Sequence, residues 1–215
     1  MSAIRGIPFV VAAASGTGKT SVCRALIARN SGRPIEFSVS HTTRARREGE
    51  ADGVDYHFVT ESGFQQLVED DGFLEWAVYN DNHYGTSWRA IEEPLALGHD
   101  VLLEIEVQGA AQVRKRLDDA RFLFLLPPTL AALRQRLESR GTDSPEQMAR
   151  RLERSRDELA AAVDFDYAIV NDDFDSCVAD ILAILAAERA GDVAALRRRF
   201  EPAPALRVLR AEEPA

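Results

Sequence analysis

Apolar and polar positions fall into short blocks along this chain, and each block predicts one element. Residues 7–12 form an apolar run that predicts a buried strand, and residues 21–27 carry apolar side chains at helical spacing. A loop at 30–34 and a short strand at 35–39 follow. Residues 55–59 predict a strand, and 60–70 an amphipathic helix with Phe64, Leu67 and Val68 on one side. Residues 73–79 predict another strand, 82–87 a turn, and 87–97 a helix stopped by Gly98. The block from His99 is a buried strand with a turn at its end, and 110–117 is a helix. A strand at 121–126 ends at Pro127-Pro128, and Thr129 caps a helix carrying Leu130, Leu133 and Leu137. After a loop, Ser144 and Pro145 open a helix that contains Arg150-Arg151-Leu152. The last strand is 165–170, followed by an amphipathic helix at 174–188 and further helix within 191–200. From Glu201 the Pro-, Ala- and acid-rich composition predicts a loose tail. Strands alternating with helices predict an α/β fold with a parallel sheet.

Composition narrows the class. A chain of 215 residues with 46% hydrophobic content can bury one ordinary core. A formal net charge of −9 argues against a non-specific nucleic-acid binder. No apolar run is long enough to span a bilayer, and the N-terminus lacks a signal-peptide shape. Cys23 and Cys177 lie far apart in helical stretches, which fits buried thiols and a reducing cytoplasm. His41, His57, His83 and His99 show no metal-ligand spacing.

The first chemistry lies between the first strand and the first helix, at Ala13-Ala14-Ser15-Gly16-Thr17-Gly18-Lys19-Thr20-Ser21. A strand, a glycine-rich turn and a helix start are the context of a phosphate-binding loop. Gly16 and Gly18 let successive N–H groups turn toward one anion, and the helix adds its positive end. Lys19 supplies a compact charge to the β and γ phosphates, and the Thr20 hydroxyl is a natural Mg2+ ligand. Ala13 stands where the usual pattern has glycine; alanine is tolerated there if φ is negative. Among 26 basic residues only Lys19 and Lys115 are lysines, so lysine is placed where arginine would serve least well.

Three further features await an explanation. Arg44, Arg46 and Arg47 lie beside hydroxyl residues, yet on charge alone this is a solvated basic loop. Glu75 interrupts an apolar strand and is either an outward-facing residue or a buried acceptor. Glu104 and Glu106, two apart, share one face of the strand that begins at His99, near the carboxyl edge of the sheet.

The separated motifs resolve these features together. Ser38-Val39-Ser40-His41-Thr42-Thr43-Arg44, Arg47, Gly49-Glu50, Asp52-Gly53-Val54-Asp55-Tyr56, then Phe73-Leu74-Glu75-Trp76-Ala77 and Tyr84-Gly85-Thr86, resemble guanylate kinase, in that family's order. The resemblance runs from the phosphate loop to about Asp173. It implies a P-loop NTPase core with a parallel sheet flanked by helices, over 1–39, 97–139 and 158–200 of a domain spanning 1–200. It implies an inserted GMP-binding subdomain at 40–96 and a lid at 140–157; the flexible tail that composition predicts at 201–215 lies outside it.

The resemblance also implies roles. Arg44, Arg47, Tyr56 and Tyr84 hold the GMP phosphate, while Ser40, Glu75 and Thr86 read guanine. Glu104 and Glu106 stand where the family usually has acids, often Asp at the second. Which of them meets guanine or the Mg2+ shell stays open. Lys19, Arg140 and Arg151 are the catalytic cations, and Asn171 lies near the adenine of ATP, although a turn residue capping the next helix explains Asn171 as well. Arg134, Arg136, Arg150, Arg154 and Arg156 have no such match and read as solvated helix faces. The implied reaction is phosphorylation of GMP or dGMP by ATP with Mg2+, under two subdomains that close over the substrates. A binding module that has lost catalysis is the first rival, and intact Gly18-Lys19-Thr20 argues against it. A sugar-phosphate kinase is the second, and Ser40, Glu75 and Thr86 argue against that.

Overall fold

The computed structural model describes residues 4–79, 81–138 and 145–211. In chain order its elements are β1 (Pro8–Ala13), α1 (Lys19–Arg29), β2 (Ile35–Phe37), β3 (His41–Thr42) and β4 (His57–Phe58). There follow α2 (Glu61–Glu69), β5 (Phe73–Tyr79), β6 (Asn82–Ser87), α3 (Trp88–Ala96), β7 (Asp100–Glu104) and α4 (Val107–Arg116). The rest are β8 (Arg121–Leu126), α5 (Leu130–Glu138), α6 (Pro145–Ala160), a 3-10 turn (Ala161–Asp164), β9 (Tyr167–Val170), α7 (Phe174–Ala190), α8 (Ala194–Arg199) and α9 (Pro202–Ala211). Two compact units result. One comprises Met1–Phe9 and Arg33–Ala120, the other Val10–Gly32 and Arg121–Ala215, so the chain passes between them within β1. Among the described residues no helix is long and apolar enough to cross a membrane.

The first unit holds strands in the order β2-β7-β1 and a second sheet in the order β4-β3-β6-β5. β2 runs parallel to β7, with Glu36 opposite Val101. The buried Asp100 accepts the Ile7 N–H at 2.8 Å, and Arg33 stands 3.6 Å from the same oxygen. β5 and β6 form an antiparallel hairpin closed where Tyr79 faces Asn82. Residues 82–87 are therefore strand rather than the expected turn: pairing along β5 overrides the local Asn and Gly signals. The register shifts between Phe73 and Glu75, a bulge that re-aims the side chains around it. Helix α2 lays Phe64 on Phe73, ring centroids 4.4 Å apart, and Thr60 caps it by accepting the Gly63 N–H. Helix α4 begins at Val107, three residues before the expected start, and takes into its first turn Gly109, which by itself signals a turn.

The second unit holds the order β1-β8-β9, with β8 parallel to β9. The chain is thus an α/β fold whose described central pairings are parallel. Thr129 caps α5 by accepting the Ala132 N–H, as expected. Helix α7 buries Cys177, Val178, Ile181, Ile184 and Leu185 between an Asp173 N-cap and Gly191 at φ 74. Cys23 and Cys177 are both buried thiols. Residues 202–211 correct the expectation of a loose tail. They form α9, with Leu206 and Leu209 buried, and the Phe200 carbonyl accepts the Ala168 N–H of β9 at 2.8 Å. Two buried leucines contribute roughly 1.5–3 kcal/mol each, enough to order a short helix whose composition looked loose.

Candidate active site

The phosphate loop lies wholly in the second unit. It leaves β1 at Ala13, which is not among the residues of positive φ, so alanine replaces the pattern's glycine without strain. Gly16 and Gly18 adopt φ 90 and 95, a backbone that other residues rarely reach. Gly18 is the N-cap of α1 and no side chain caps the helix, so its first-turn amides suit an anion. Lys19 and Thr20 begin the helix, and Thr20 is exposed.

The loop is braced from behind. Thr17 is fully buried, and its carbonyl accepts the Asn171 side-chain amide at 2.7 Å. Arg136 of α5 reaches the Thr17 carbonyl at 3.5 Å and the Asn171 carbonyl at 3.1 Å. This corrects the reading of Arg136 as a solvated face: the helix turns it onto main-chain carbonyls. Asn171 does not cap the next helix, since Asp173 accepts the Ser176 N–H there. Helix α6 meets the loop at Ser15, where Glu158 accepts the N–H at 3.1 Å and Arg151 donates to Oγ at 3.3 Å. Arg154 orients Glu158 through its other oxygen at 3.2 Å, a pair spaced four apart on one helix face. Sequence reasoning misses Glu158; its spacing from Arg151 and Arg154 is the available signal. Arg134 pairs with Glu138 on an exposed face, as expected. Arg140 lies outside the described residues.

The residues expected to bind the acceptor lie in the first unit, mostly on the β4-β3-β6-β5 sheet. Glu75 is a buried acceptor, only 5% exposed. Its Oε1 takes the Thr86 N–H at 3.0 Å and the Thr86 hydroxyl at 2.6 Å. The Ser40 and Thr86 hydroxyls are 3.3 Å apart. Thr86 gives its one proton to Glu75, so Ser40 is the donor of that pair. The three residues expected to read the base are therefore one hydrogen-bonded chain.

Arg44 is held as a fork on Glu50, at 2.7 and 3.1 Å, and Glu50 also accepts the Arg47 N–H at 2.8 Å. These bonds, the Arg44 fork foremost, hold the Glu50 carboxyl below its usual range and raise the Arg44 guanidinium. Arg44 lies over the rings of Tyr56 and Phe58 at 5.4 and 5.8 Å. Tyr56 and Tyr84 meet edge to face at 5.9 Å. Burial raises the Tyr56 phenol, and Tyr84 and Glu104 add to the rise. Glu50 stood in the motif without a role. Its contacts make it the anchor of this arginine loop, which is therefore more than a solvated stretch. Glu104 is half-buried at the end of β7, whereas Glu106 is exposed as the N-cap residue of α4. The two acids are thus not on one strand face, because the strand ends between them.

On the neighbouring strands β3 and β4, the His41 and His57 rings lie 4.7 Å apart. Burial, with His57 beside it, lowers the His41 imidazole to about 4 against a weak opposing pull from Asp52. Among the described residues no group of three or more His, Cys, Asp or Glu could hold a metal ion.

A family model described as guanylate kinase matches residues 5–188. A guanylate kinase of Acinetobacter baylyi is 48% identical over 184 residues, covering 86% of this chain and 88% of the relative. One from Thermus thermophilus is 49% identical over 189 residues, covering 88% of this chain and 83% of the relative. The crystal structure of guanylate kinase from Anaplasma phagocytophilum superposes with a TM-score of 0.70 at 29% identity, covering 92% of each chain.

Proposed function

The chain belongs to the guanylate kinase family, and we propose from that premise that it transfers the γ-phosphoryl group of ATP to GMP or dGMP. An oxygen of the acceptor's phosphate bonds to the γ-phosphorus, the bond from that phosphorus to the β–γ bridging oxygen breaks, and ADP leaves with GDP or dGDP formed. No strong base is required, since positioning and charge stabilisation dominate such reactions. Lys19, Arg151 and Arg140 are the cations assigned to the transferring group. Residues 13–21 with Asn171 take ATP, and Arg44, Arg47, Tyr56 and Tyr84 take the acceptor phosphate.

Mg2+ fits the donor set. Mg2+ keeps most of its waters and binds through substrate phosphates plus one or two protein oxygens. The exposed Thr20 hydroxyl, next to Lys19 at the start of α1, supplies such an oxygen. When bound with the nucleotide, the ion would neutralise charge on the β and γ phosphates.

The observation that carries the acceptor assignment is the Ser40–Thr86–Glu75 chain, in which Thr86 and Glu75 are buried and Ser40 is half-buried. A buried carboxylate is costly unless donors meet it. Guanine offers N1–H and N2–H to such a group, whereas adenine presents an acceptor at N1, so the wrong base can be rejected by up to ~10⁴-fold or more. The deciding experiment follows ADP release from MgATP with GMP, dGMP, AMP, CMP, UMP and ribose bisphosphate. Strong preference for GMP and dGMP is expected. Comparable turnover of AMP, or turnover of the sugar phosphate alone, would overturn the acceptor.

A further inference from the structure

Gly109 occupies the first turn of α4 and is buried. Glycine is a poor helix residue compared with alanine, so a reason for it is expected nearby. A Cβ at this position would lie 2.5 Å from Glu75 Oε2, 3.1 Å from the Glu75 carboxyl carbon and 3.5 Å from the Ile105 Cβ. The first separation is shorter than real side chains tolerate. Either the helix or the carboxylate would have to move.

The helix is pinned. Gln112 accepts the Trp76 N–H at 3.2 Å and donates to the Trp76 carbonyl at 2.8 Å, as a neighbouring strand would. Arg116 donates to the Phe73 carbonyl at 2.7 Å and pairs with Asp71 at 2.7 Å. Gly109, Gln112 and Arg116 are spaced by three and four, so one face of α4 is fastened along β5 on both sides of Glu75. The carboxylate is the softer partner: it is the far end of a flexible side chain, held at Oε1 by Thr86. A methyl group at residue 109 would therefore displace that end and disturb little else.

We infer that Gly109 is a specificity-determining position of the acceptor site, where the absence of a side chain lets the Glu75 carboxylate lie against α4 in the place that recognises a guanine base. Gly109 acts through Glu75 and is a positioning residue. The inference rests on the proposed role of Glu75 and adds a constraint from a different element.

The test uses the full chain with Gly109→Ala, Glu75→Ala, Glu75→Asp and the double variant G109A/E75D. For Gly109→Ala, KM for GMP should rise roughly 10- to 100-fold, as expected for a group misplaced by about an ångström. KM for ATP should stay within about twofold, since only acceptor binding is touched. The thermal midpoint should hold or rise by a few degrees, because alanine favours the helix. In the double variant the carboxylate is one methylene shorter and clears the added methyl group, so kcat/KM for GMP should recover several-fold over Gly109→Ala. GMP kinetics unchanged in Gly109→Ala would overturn the inference. So would a parallel loss of ATP affinity and thermal stability, which marks a general packing role. Should Gly109→Ala fail to fold, the double variant decides: recovery on shortening the acid supports the inference, and continued failure overturns it. Glu75→Ala separates the two layers. If it keeps full preference for GMP over AMP, the role of Glu75 falls and this inference with it. If it loses that preference while Gly109→Ala behaves as the parent, only the inference falls.

Discussion

The side-chain amide of Asn171 donates to the main-chain carbonyl of Thr17 across 2.7 Å, joining the end of β9 to the phosphate loop. Asn171 is 6% exposed, so truncation leaves that carbonyl with the longer Arg136 bond of 3.5 Å. Losing a buried hydrogen bond costs about 1–3 kcal/mol. Asn171→Ala should raise KM for ATP by roughly 5- to 100-fold on that scale, with KM for GMP little changed. Steady-state kinetics varying each substrate in turn checks it. Equal losses for both substrates would mean that Asn171 supports the fold at large.

Lys19 carries the central assignment. Lys19→Ala should lower kcat/KM by at least about 10²-fold, the scale seen when one charge-stabilising donor is removed. Circular dichroism and the thermal midpoint should match the parent. Near-full activity in this variant would defeat the reading of 13–21 as a phosphate loop.

Glu50 fixes the direction of the Arg44 fork before any acceptor arrives. Glu50→Ala should raise KM for GMP and dGMP by the same factor, about tenfold, because both carry the same phosphate and an unanchored guanidinium must be ordered on binding. A changed ratio between the two acceptors would place Glu50 near the sugar instead.

His41 gives a pH dependence with a definite sign. Its folded-state value of about 4 lies below the ordinary 6.5. The unfolded chain therefore binds the proton more readily between those values, and stability rises with pH across that window. The contribution is whole above about 6.5 and is lost as pH falls toward 4. Urea midpoints at pH 7 and pH 5 should differ more in the parent than in His41→Gln. Identical pH slopes in the two proteins would count against it.

Glu188 accepts from Tyr167 at 2.5 Å, from Arg121 at 2.7 Å and from Arg197 at 3.1 Å. The two arginine partners are partly exposed and can rehydrate. The fully buried Tyr167 hydroxyl is the group left wanting. Glu188→Ala should thus destabilise by about 1–3 kcal/mol, the cost of one unsatisfied buried group, measured by denaturant unfolding. Tyr167→Phe should recover part of that loss in the double variant.

The elements with strong periodic patterns are legible in the sequence, as are the phosphate loop and the candidate acceptor residues. Thr129 and Gly98 mark helix ends through local backbone chemistry, which needs no distant partner. What the sequence hides depends on contacts between remote segments. Arg136 looks like any solvated arginine because its carbonyl partners lie 119 and 35 positions away. Residues 82–87 read as a turn because the β5 partner outweighs their own preferences. The N-terminal turn of α4 is hidden because glycine there answers to Glu75, not to the helix. Leu206 and Leu209 look like remnants in a loose tail because the surface that buries them is far off in sequence.

The Phe200 carbonyl bonded to Ala168 has a consequence for self-association. β9 ends its strand order, and an uncovered outer strand offers a row of main-chain donors and acceptors to any other chain. Here the segment leading into α9 takes the Ala168 donor and lays a helix beside the strand. A chain shortened before Phe200 would keep every residue assigned to nucleotide chemistry, yet it would present β9 as a template for a neighbouring molecule. Helix α9 and the segment before it thus cover the outer edge of β9, apart from the residues assigned to nucleotide chemistry.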